Sequence, residues 1–569
     1  MYLIYYALLA LYMAISYELT GLTSPTLSTI SLSFFLFLLT LGLFYGGIKH
    51  LKAKLYTILG IFLFLSFANL LKVRFQLSEI TFFDFKLLGN AYSIAYLFLD
   101  KLPFPMLSFL SLSFIFIIYY SNRFLSRLRP EMIPQLKYPF LVNLIAFMLL
   151  FFTLQIAQAH APNASYYNFL NSGKSLIETS INLRDKTKQL KANLSRSHYA
   201  KVDQTDNLLY GYPFNRPKDM DLVIIQSETF FDIMKYQEHL GENGIHIGEN
   251  VHQNFQTYQN EGISGKFYVP TVGGGTVNTE YEVLTGYSAK AFAKGAIVFT
   301  SVLKEPTDSL ATFMKKRIPN TEVVGIHNHT RSYWDRDRVY PLLGIDTYID
   351  MLQFTKEEQE DLVGAWMSDT TLFNKTKEVL EKNSGKNIFL LSVTSQNHGP
   401  FLDKRGEKPP ITGLDPSEEW EISNFITNLR FSDQALKDFM TYINSRQKPT
   451  MVIFYGDHKP DPKYPIFENS TFYHQKERRE IYSTDYFIYF NSAITDPKLL
   501  NLKGQKRDLS ATAMNRYLEI LLGDTDPLSL YIYNYTKVPD NYFGNGTAKV
   551  NEVKDYTNLS KEFINHKIN

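Results

Sequence analysis

Two different rhythms of hydrophobic and polar positions divide this chain. Up to about residue 160 the apolar positions run together in long uncharged stretches, near 2–17, 27–48, 55–71, 102–122 and 138–159. Most are long enough to cross a hydrocarbon layer of roughly 30 Å as helices, and they predict a five-helix transmembrane bundle over 1–159. The Leu87–Leu99 run between Lys86 and Asp100 is shorter and predicts a buried or interfacial helix, not a sixth crossing. Residues 160–217 are polar and rich in Asn, Ser and Lys, with a helix-like stretch around Leu176–Leu194, and read as a helical connector.

From 218 onward the rhythm shortens. Buried-strand patterns recur at Asp221–Ile225, Thr321–Ile326, Asn387–Val393, Thr450–Tyr455 and Tyr486–Phe490, separated by helical stretches such as Asp308–Arg317, Ser368–Lys382 and Ser423–Ser445. This alternation predicts an α/β domain with a largely parallel sheet over 218–540, followed by a polar tail over 541–569.

Composition sharpens the division. At 569 residues the chain exceeds one ordinary domain, and the absence of cysteine excludes disulfides, thiolate metal sites and cysteine nucleophiles. Positions 1–160 hold eleven basic and five acidic residues, whereas the remainder holds 47 basic and 51 acidic, a balance that offers no electrostatic footprint for nucleic acid. The basic residues beside the spans fall in two short loops, Lys49, Lys52 and Lys54 in one and Arg123, Arg127, Arg129 and Lys137 in the other. Both loops belong inside by the positive-inside rule, so the N-terminus is expected in the cytoplasm and everything after the fifth span outside the cell membrane. Ala157-Gln158-Ala159 closes that span with an A-x-A pattern, where signal-peptidase-type cleavage after Ala159 would release the outer part.

The chemistry-bearing residues gather at predicted strand ends. The first strand runs into Gln226-Ser227-Glu228, the second into His327-Asn328-His329, the third into Ser395-Gln396-Asn397-His398 and the fourth into Gly456-Asp457-His458. Ligands of open α/β sheets bind outside the carboxyl ends of the strands, so these residues are expected at one crevice. Glu228, Asp457 and His458 offer two carboxylates and an imidazole, a donor set suited to manganese or magnesium, with zinc still open. Gly273-Gly274-Gly275-Thr276 precedes a predicted helix start, where free N–H groups favour phosphate, and Thr276 is a candidate nucleophile that needs a metal or a base to activate it. Arg331, Trp334 and Arg336 add cationic and aromatic surface, and arginine matches phosphate geometry bidentately. Each feature alone has a plainer reading, as a cap, a flexible turn or a surface ion network; it is the set that points to phosphoryl chemistry.

Together these residues resemble the lipoteichoic acid synthase family of membrane phosphoglycerol transferases, within the alkaline phosphatase and sulfatase superfamily. The likeness rests on the five spans, the strand ending in Ser227-Glu228, the Gly-Gly-Gly-Thr-x-Asn-Thr-Glu segment, Tyr333-Trp334-Asp335-Arg336-Asp337, Asn397-His398-Gly399-Pro400-Phe401 and Gly456-Asp457-His458. It implies a manganese ion held by Glu228, Thr276, Asp457 and His458, with Thr276 also the nucleophile. It further implies a glycerol-phosphate pocket lined by His327, Trp334, Arg336 and His398, with His398 an acid–base or binding group. The 69–90 loop, with Lys72, Arg74, Asp84 and Lys86, is similar to the interfacial segment between the family's third and fourth spans. One departure is Gly275, where polymer-making synthases often carry lysine before the nucleophile.

The implied reaction is a double displacement. Thr276 takes glycerol phosphate from phosphatidylglycerol, releasing diacylglycerol, and an acceptor hydroxyl then takes it from Thr276. Lipoteichoic acid synthesis on a glycolipid-anchored acceptor is the main expectation. Decoration of a cell-wall polysaccharide, a metal-dependent phospholipid or phosphoester hydrolase, a phosphoethanolamine transferase and a non-catalytic scaffold are the alternatives.

Overall fold

The computed structural model describes residues 213–525 with 529, 530 and 533, apart from 243, 292–295, 332, 400, 402–410, 415–418 and 461–479. The five apolar spans, the connector as far as 212 and the tail after 540 lie outside these residues. Among the described residues no helix is long and apolar enough to cross a membrane.

Eight strands form the main sheet: β1 (Asp221–Ser227), β2 (Ile263–Tyr268), β3 (Thr321–His327), β4 (Thr347–Ile349), β5 (Asn387–Val393), β6 (Thr450–Gly456), β7 (Ser483–Phe490) and β8 (Leu509–Ser510). Their order across the sheet is β8-β2-β7-β6-β1-β5-β3-β4. Every pairing is parallel except the two that β7 makes, with β6 and with β2. The expectation of an α/β domain with a largely parallel sheet is met; the strand read at Tyr486–Phe490 begins earlier, at Ser483, and is the one that runs against the rest.

Alternate residues of each central strand point to opposite faces, which is why these strands read as unbroken apolar runs. Leu222, Ile224, Phe389, Leu391, Met451 and Ile453 pack on one face against helices α2 (Thr276–Thr285), α3 (Leu310–Arg317) and α7 (Ala511–Leu521). Val223, Ile225, Ile388, Leu390, Val452 and Phe454 pack on the other against α1 (Gln253–Glu261), α5 (Asp369–Lys382) and α6 (Glu419–Ser445). A short helix, α4 (Arg336–Leu342), belongs to the first face through Val339 and Tyr340. The sheet is thus dry on both sides, and the polar residues of its central strands gather at the strand ends.

One buried group outside those ends ties stability to pH. His252, at the start of α1, is fully enclosed with its ring edge-on to Phe230 at 4.9 Å. Burial disfavours the imidazolium and holds its pKa down at about 3. The unfolded chain takes up this proton near 6.5 but the folded chain does not until about 3, so His252 contributes stability above pH 6.5 that is lost as pH falls through that window. Unfolding free energies measured from pH 7 to 4 should fall more steeply for wild type than for His252→Phe, the gap amounting to roughly 2–4 kcal/mol. Parallel curves would show that His252 does not titrate this way.

Candidate functional site

The parallel register places the sequence-predicted groups on one edge. Ser227 pairs with Gly456 across β1 and β6, and Gln226 and His327 both pair with Val393 of β5. The residues that follow, Glu228, Asp457 and the loop to His398, therefore emerge side by side at the carboxyl ends. Gly456 is required here, since a Cβ at that position would lie 1.7 Å from the Phe230 carbonyl oxygen.

Glu228, Asp457 and His458 present ligand atoms within 4.8 Å of one another, all buried. His458 Nε2 stands 3.4 Å from Glu228 Oε1 and 3.4 Å from Asp457 Oδ2. Its Nδ1 lies 3.0 Å from the Lys459 carbonyl, which can only accept, so the neutral ring carries its proton there and turns the Nε2 lone pair toward the carboxylates. Thr276 Oγ1 joins the group by donating to Glu228 Oε2 at 3.1 Å.

The electrostatics of this cage are unbalanced by protein alone. Burial raises the Glu228 carboxyl, but the imidazoles of His398 and His458 and hydrogen bonds from Thr229 and Thr276 outweigh it and hold it below its ordinary value. Asp457 is pushed well above the usual carboxylate range by burial and then by the Glu228 charge. Burial also lowers the pKa of His458, keeping the ring neutral. Asp457 Oδ2 and His458 Nε2 are enclosed and make no hydrogen bond. Two crowded carboxylates, a neutral imidazole and two orphaned ligand atoms are what a divalent cation would satisfy, so the residues fit a metal.

Local backbone sets these positions. Gly273, Gly274 and Gly275 all have positive φ, at 69°, 141° and 81°, and deliver Thr276 to the first turn of α2. A Cβ on Gly275 would stand 3.0 Å from the Thr271 methyl, so the lysine common at this point in polymer-making synthases would be strained here. Thr229 holds φ at 46°, an uncommon conformation for a β-branched residue. It is fixed there by its N–H to Asp457 Oδ1 at 2.8 Å and its hydroxyl to Glu228 Oε1 at 2.9 Å.

Beside the cage runs a row of rings. His327 and His329 stack at 5.8 Å, His329 meets Trp366 at 5.5 Å and Tyr333 at 4.6 Å, and Trp366 meets His398 at 4.7 Å. His327 Nδ1 lies 2.9 Å from the Val393 carbonyl and His398 Nδ1 2.6 Å from that of Gly399, so the hydrogen-bond partners assign Nδ1 as the donor and leave Nε2 of each ring facing away from those carbonyls. Burial, with the Arg336 charge, lowers the His327 pKa well below its ordinary value. Trp334 is half-buried, 5.2 Å from Tyr333, at φ 58°.

Arg336 sits differently from an open phosphate clamp. It is fully enclosed, with Nε and Nη2 on Glu280 Oε2 at 3.2 and 2.8 Å, while Nη1 makes no hydrogen bond. Glu280 lies one helical turn after Thr276 on α2, so the guanidinium is tied to the helix that carries the candidate nucleophile. Thr229, Trp366 and the Glu280 pairing were not singled out from sequence. Trp366, one of only three tryptophans, was the one compositional hint.

With this geometry in view, comparison with known proteins places the chain among others. A family described as Sulfatase matches residues 221–516. The lipoteichoic acid synthase of Staphylococcus saprophyticus is 22% identical across 79% of this chain and 68% of its own length. A capsular polysaccharide biosynthesis protein of Rhizobium meliloti is 26% identical across 42% of this chain and 41% of its own. This chain spans about two fifths of the length of the first curated relatives it matches, 36% and 41%. Among solved structures, the integral membrane protein lipooligosaccharide phosphoethanolamine transferase A of Neisseria meningitidis superposes with a TM-score of 0.52 at 12% identity, covering 91% of this chain and 95% of that one, a likeness of fold.

Proposed function

Because the chain belongs to the sulfatase family, we propose that it is a membrane-anchored phosphoglycerol transferase, moving glycerol phosphate from phosphatidylglycerol to a cell-envelope acceptor in lipoteichoic acid synthesis. The observation that carries this reading is the Thr276 hydroxyl, 3.1 Å from Glu228 at a helix N-terminus beside a carboxylate–imidazole cage.

Glu228, Thr276, Asp457 and His458 would hold a divalent ion, manganese in our reading, which would supply Lewis-acid charge to the phosphoryl oxygens and acidify the threonine hydroxyl. Glu228 accepts that hydroxyl's hydrogen bond and takes its proton as Thr276 Oγ1 forms a bond to phosphorus and the bond to the diacylglycerol oxygen breaks. The leaving oxygen takes a proton from the imidazolium form of His398 at Nε2, the nitrogen that the Gly399 contact leaves open. In the second half, the acceptor hydroxyl returns a proton to the same nitrogen as it attacks phosphorus, and the departing Thr276 oxygen recovers its own from Glu228. Arg336, oriented by Glu280, keeps Nη1 for phosphoryl charge, and the N–H groups opening α2 at Thr276 add partial positive charge there. His327 and Trp334 line the glycerol side.

The amino-terminal spans would hold this domain outside the cell beside its donor, because a two-chain lipid leaves the bilayer reluctantly. Purified full-length protein, given labelled phosphatidylglycerol, a glycolipid acceptor and manganese, should form a ladder of products of rising length. One added phosphate per sugar on a polysaccharide would instead identify a decorating enzyme. Glycerol phosphate released at the same rate without acceptor would identify a hydrolase.

A further inference from the structure

The loop after β5 is buried to an extent uncommon for a loop: Thr394, Ser395, Gln396 and Asn397, four consecutive polar residues, are each 3% exposed or less. Polar groups enclosed in this way need partners, and two of them converge on one hydroxyl. Ser432, in the middle of α6, accepts from Gln396 Nε2 at 2.9 Å and from Asn397 Nδ2 at 3.0 Å, and donates to Asp369 Oδ2 at 2.6 Å. A serine hydroxyl has two lone pairs and one hydrogen, so every capacity is used. Gln396 is held further by the Asn428 carbonyl at 3.0 Å and by the Asp369 N–H on its Oε1 at 2.9 Å.

Both ends of this loop reach the reaction centre. Thr394 Oγ1 accepts the Glu228 N–H at 3.0 Å. His398 closes the other end, its N–H on the Ser395 carbonyl at 3.0 Å and its Nδ1 on the Gly399 carbonyl at 2.6 Å, so the loop backbone aims the imidazole. Neither Ser432 nor Asp369 is a ligand atom of the cage or part of the ring row. Their contacts serve the loop.

We propose that Ser432, itself oriented by Asp369, is a positioning residue that fixes the 394–398 loop and so the direction of His398 Nε2. The proposal rests on the reading of His398 as the proton-exchanging group. Without the hydroxyl, two amide donors and a carboxylate face a methyl group; the loop relaxes to satisfy them and the imidazole turns with it.

The test compares wild type, Ser432→Ala, Ser432→Thr and, as reference, His398→Ala, all full length in detergent. Diacylglycerol release from labelled phosphatidylglycerol and the manganese-induced rise in melting temperature are measured on each. Ser432→Ala should lose about 10–100-fold in kcat with KM within about twofold, keep the manganese-induced rise, and show faster hydrogen exchange over 394–398. Ser432→Thr, which keeps the hydroxyl, should recover most of kcat. An unchanged kcat, or a parallel loss of KM and of the manganese response, overturns the proposal. If Ser432→Ala does not fold, Ser432→Cys, nearly isosteric with a weak S–H donor, carries the same comparison. If wild type itself transfers no glycerol phosphate, the functional reading has failed, and the anchoring is judged by exchange alone: faster exchange over 394–398 upholds it and unchanged exchange overturns it.

Discussion

Thr276→Ala should abolish diacylglycerol release from labelled phosphatidylglycerol, lowering the rate by at least about a thousandfold. The substitution deletes the hydroxyl that donates to Glu228 Oε2 and leaves the rest of the cage standing. Alanine is a good helix former, and Thr276 opens α2 with its side chain enclosed, so the fold loses a single hydrogen bond and a methyl group. Expression and melting temperature should therefore change little, and Thr276→Ser should retain measurable activity because it keeps the oxygen. Diacylglycerol release at the wild-type rate by Thr276→Ala would remove the threonine as nucleophile.

The second large effect is a reversal of sign at Asp457. Without a cation, Asp457 and Glu228 crowd two carboxylates into a dry cage, and the Asp457 carboxyl is displaced well above its ordinary range by burial and by that neighbour. Asp457→Asn relieves the crowding, and its amide oxygen can still accept the N–H groups of Thr229 and His458, bonded at 2.8 and 2.7 Å. In chelator, then, the variant should melt at or above the wild-type temperature. With manganese at a hundred times its dissociation constant, wild type should gain about 2.7 kcal/mol and the variant far less. Calcium should substitute poorly, because it prefers more oxygen ligands at longer distances. A variant that matched the wild-type response to manganese would refute Asp457 as a ligand, and no thermal response of wild type to any divalent ion would refute the site.

Much of the fold could be read from local pattern. β1, β3, β5 and β6 lie within a residue or two of the apolar runs that announced them, since a strand buried on both faces must be apolar throughout. β2 carried no such signal: Gly265 and Lys266 interrupt it, and the glycine is explained only by the Arg507 carbonyl, which a Cβ there would approach to 2.0 Å. The direction of β7 was equally hidden, because antiparallel and parallel strands can share one apolar pattern.

At the site the division is similar. The residue types, two carboxylates and four imidazoles at the strand ends and a threonine after three glycines, were legible one by one, and the rule that strand ends share an edge brought them together. Their angles and pairings were not. Trp366 wedges between His329 and His398 from a separate antiparallel pair of strands, Leu362–Val363 with Trp366–Met367, Thr229 holds its left-handed turn through Asp457, 228 positions away, and Ser432 serves residues 35 and 36 positions back.

The amino-acid order by itself determined which edge of the sheet would be chemical and which donor types would stand there, because strand periodicity and the choice of residue after each strand are local properties. Only the tertiary structure decided that the His458 lone pair faces Glu228 and Asp457, that Asp457 Oδ2 is left without a partner, and that Arg336 is enclosed with Glu280. Those features depend on distances of about 3 Å between atoms far apart along the chain, and such distances exist only once the sheet has closed its register and burial has removed the water that would otherwise satisfy every group.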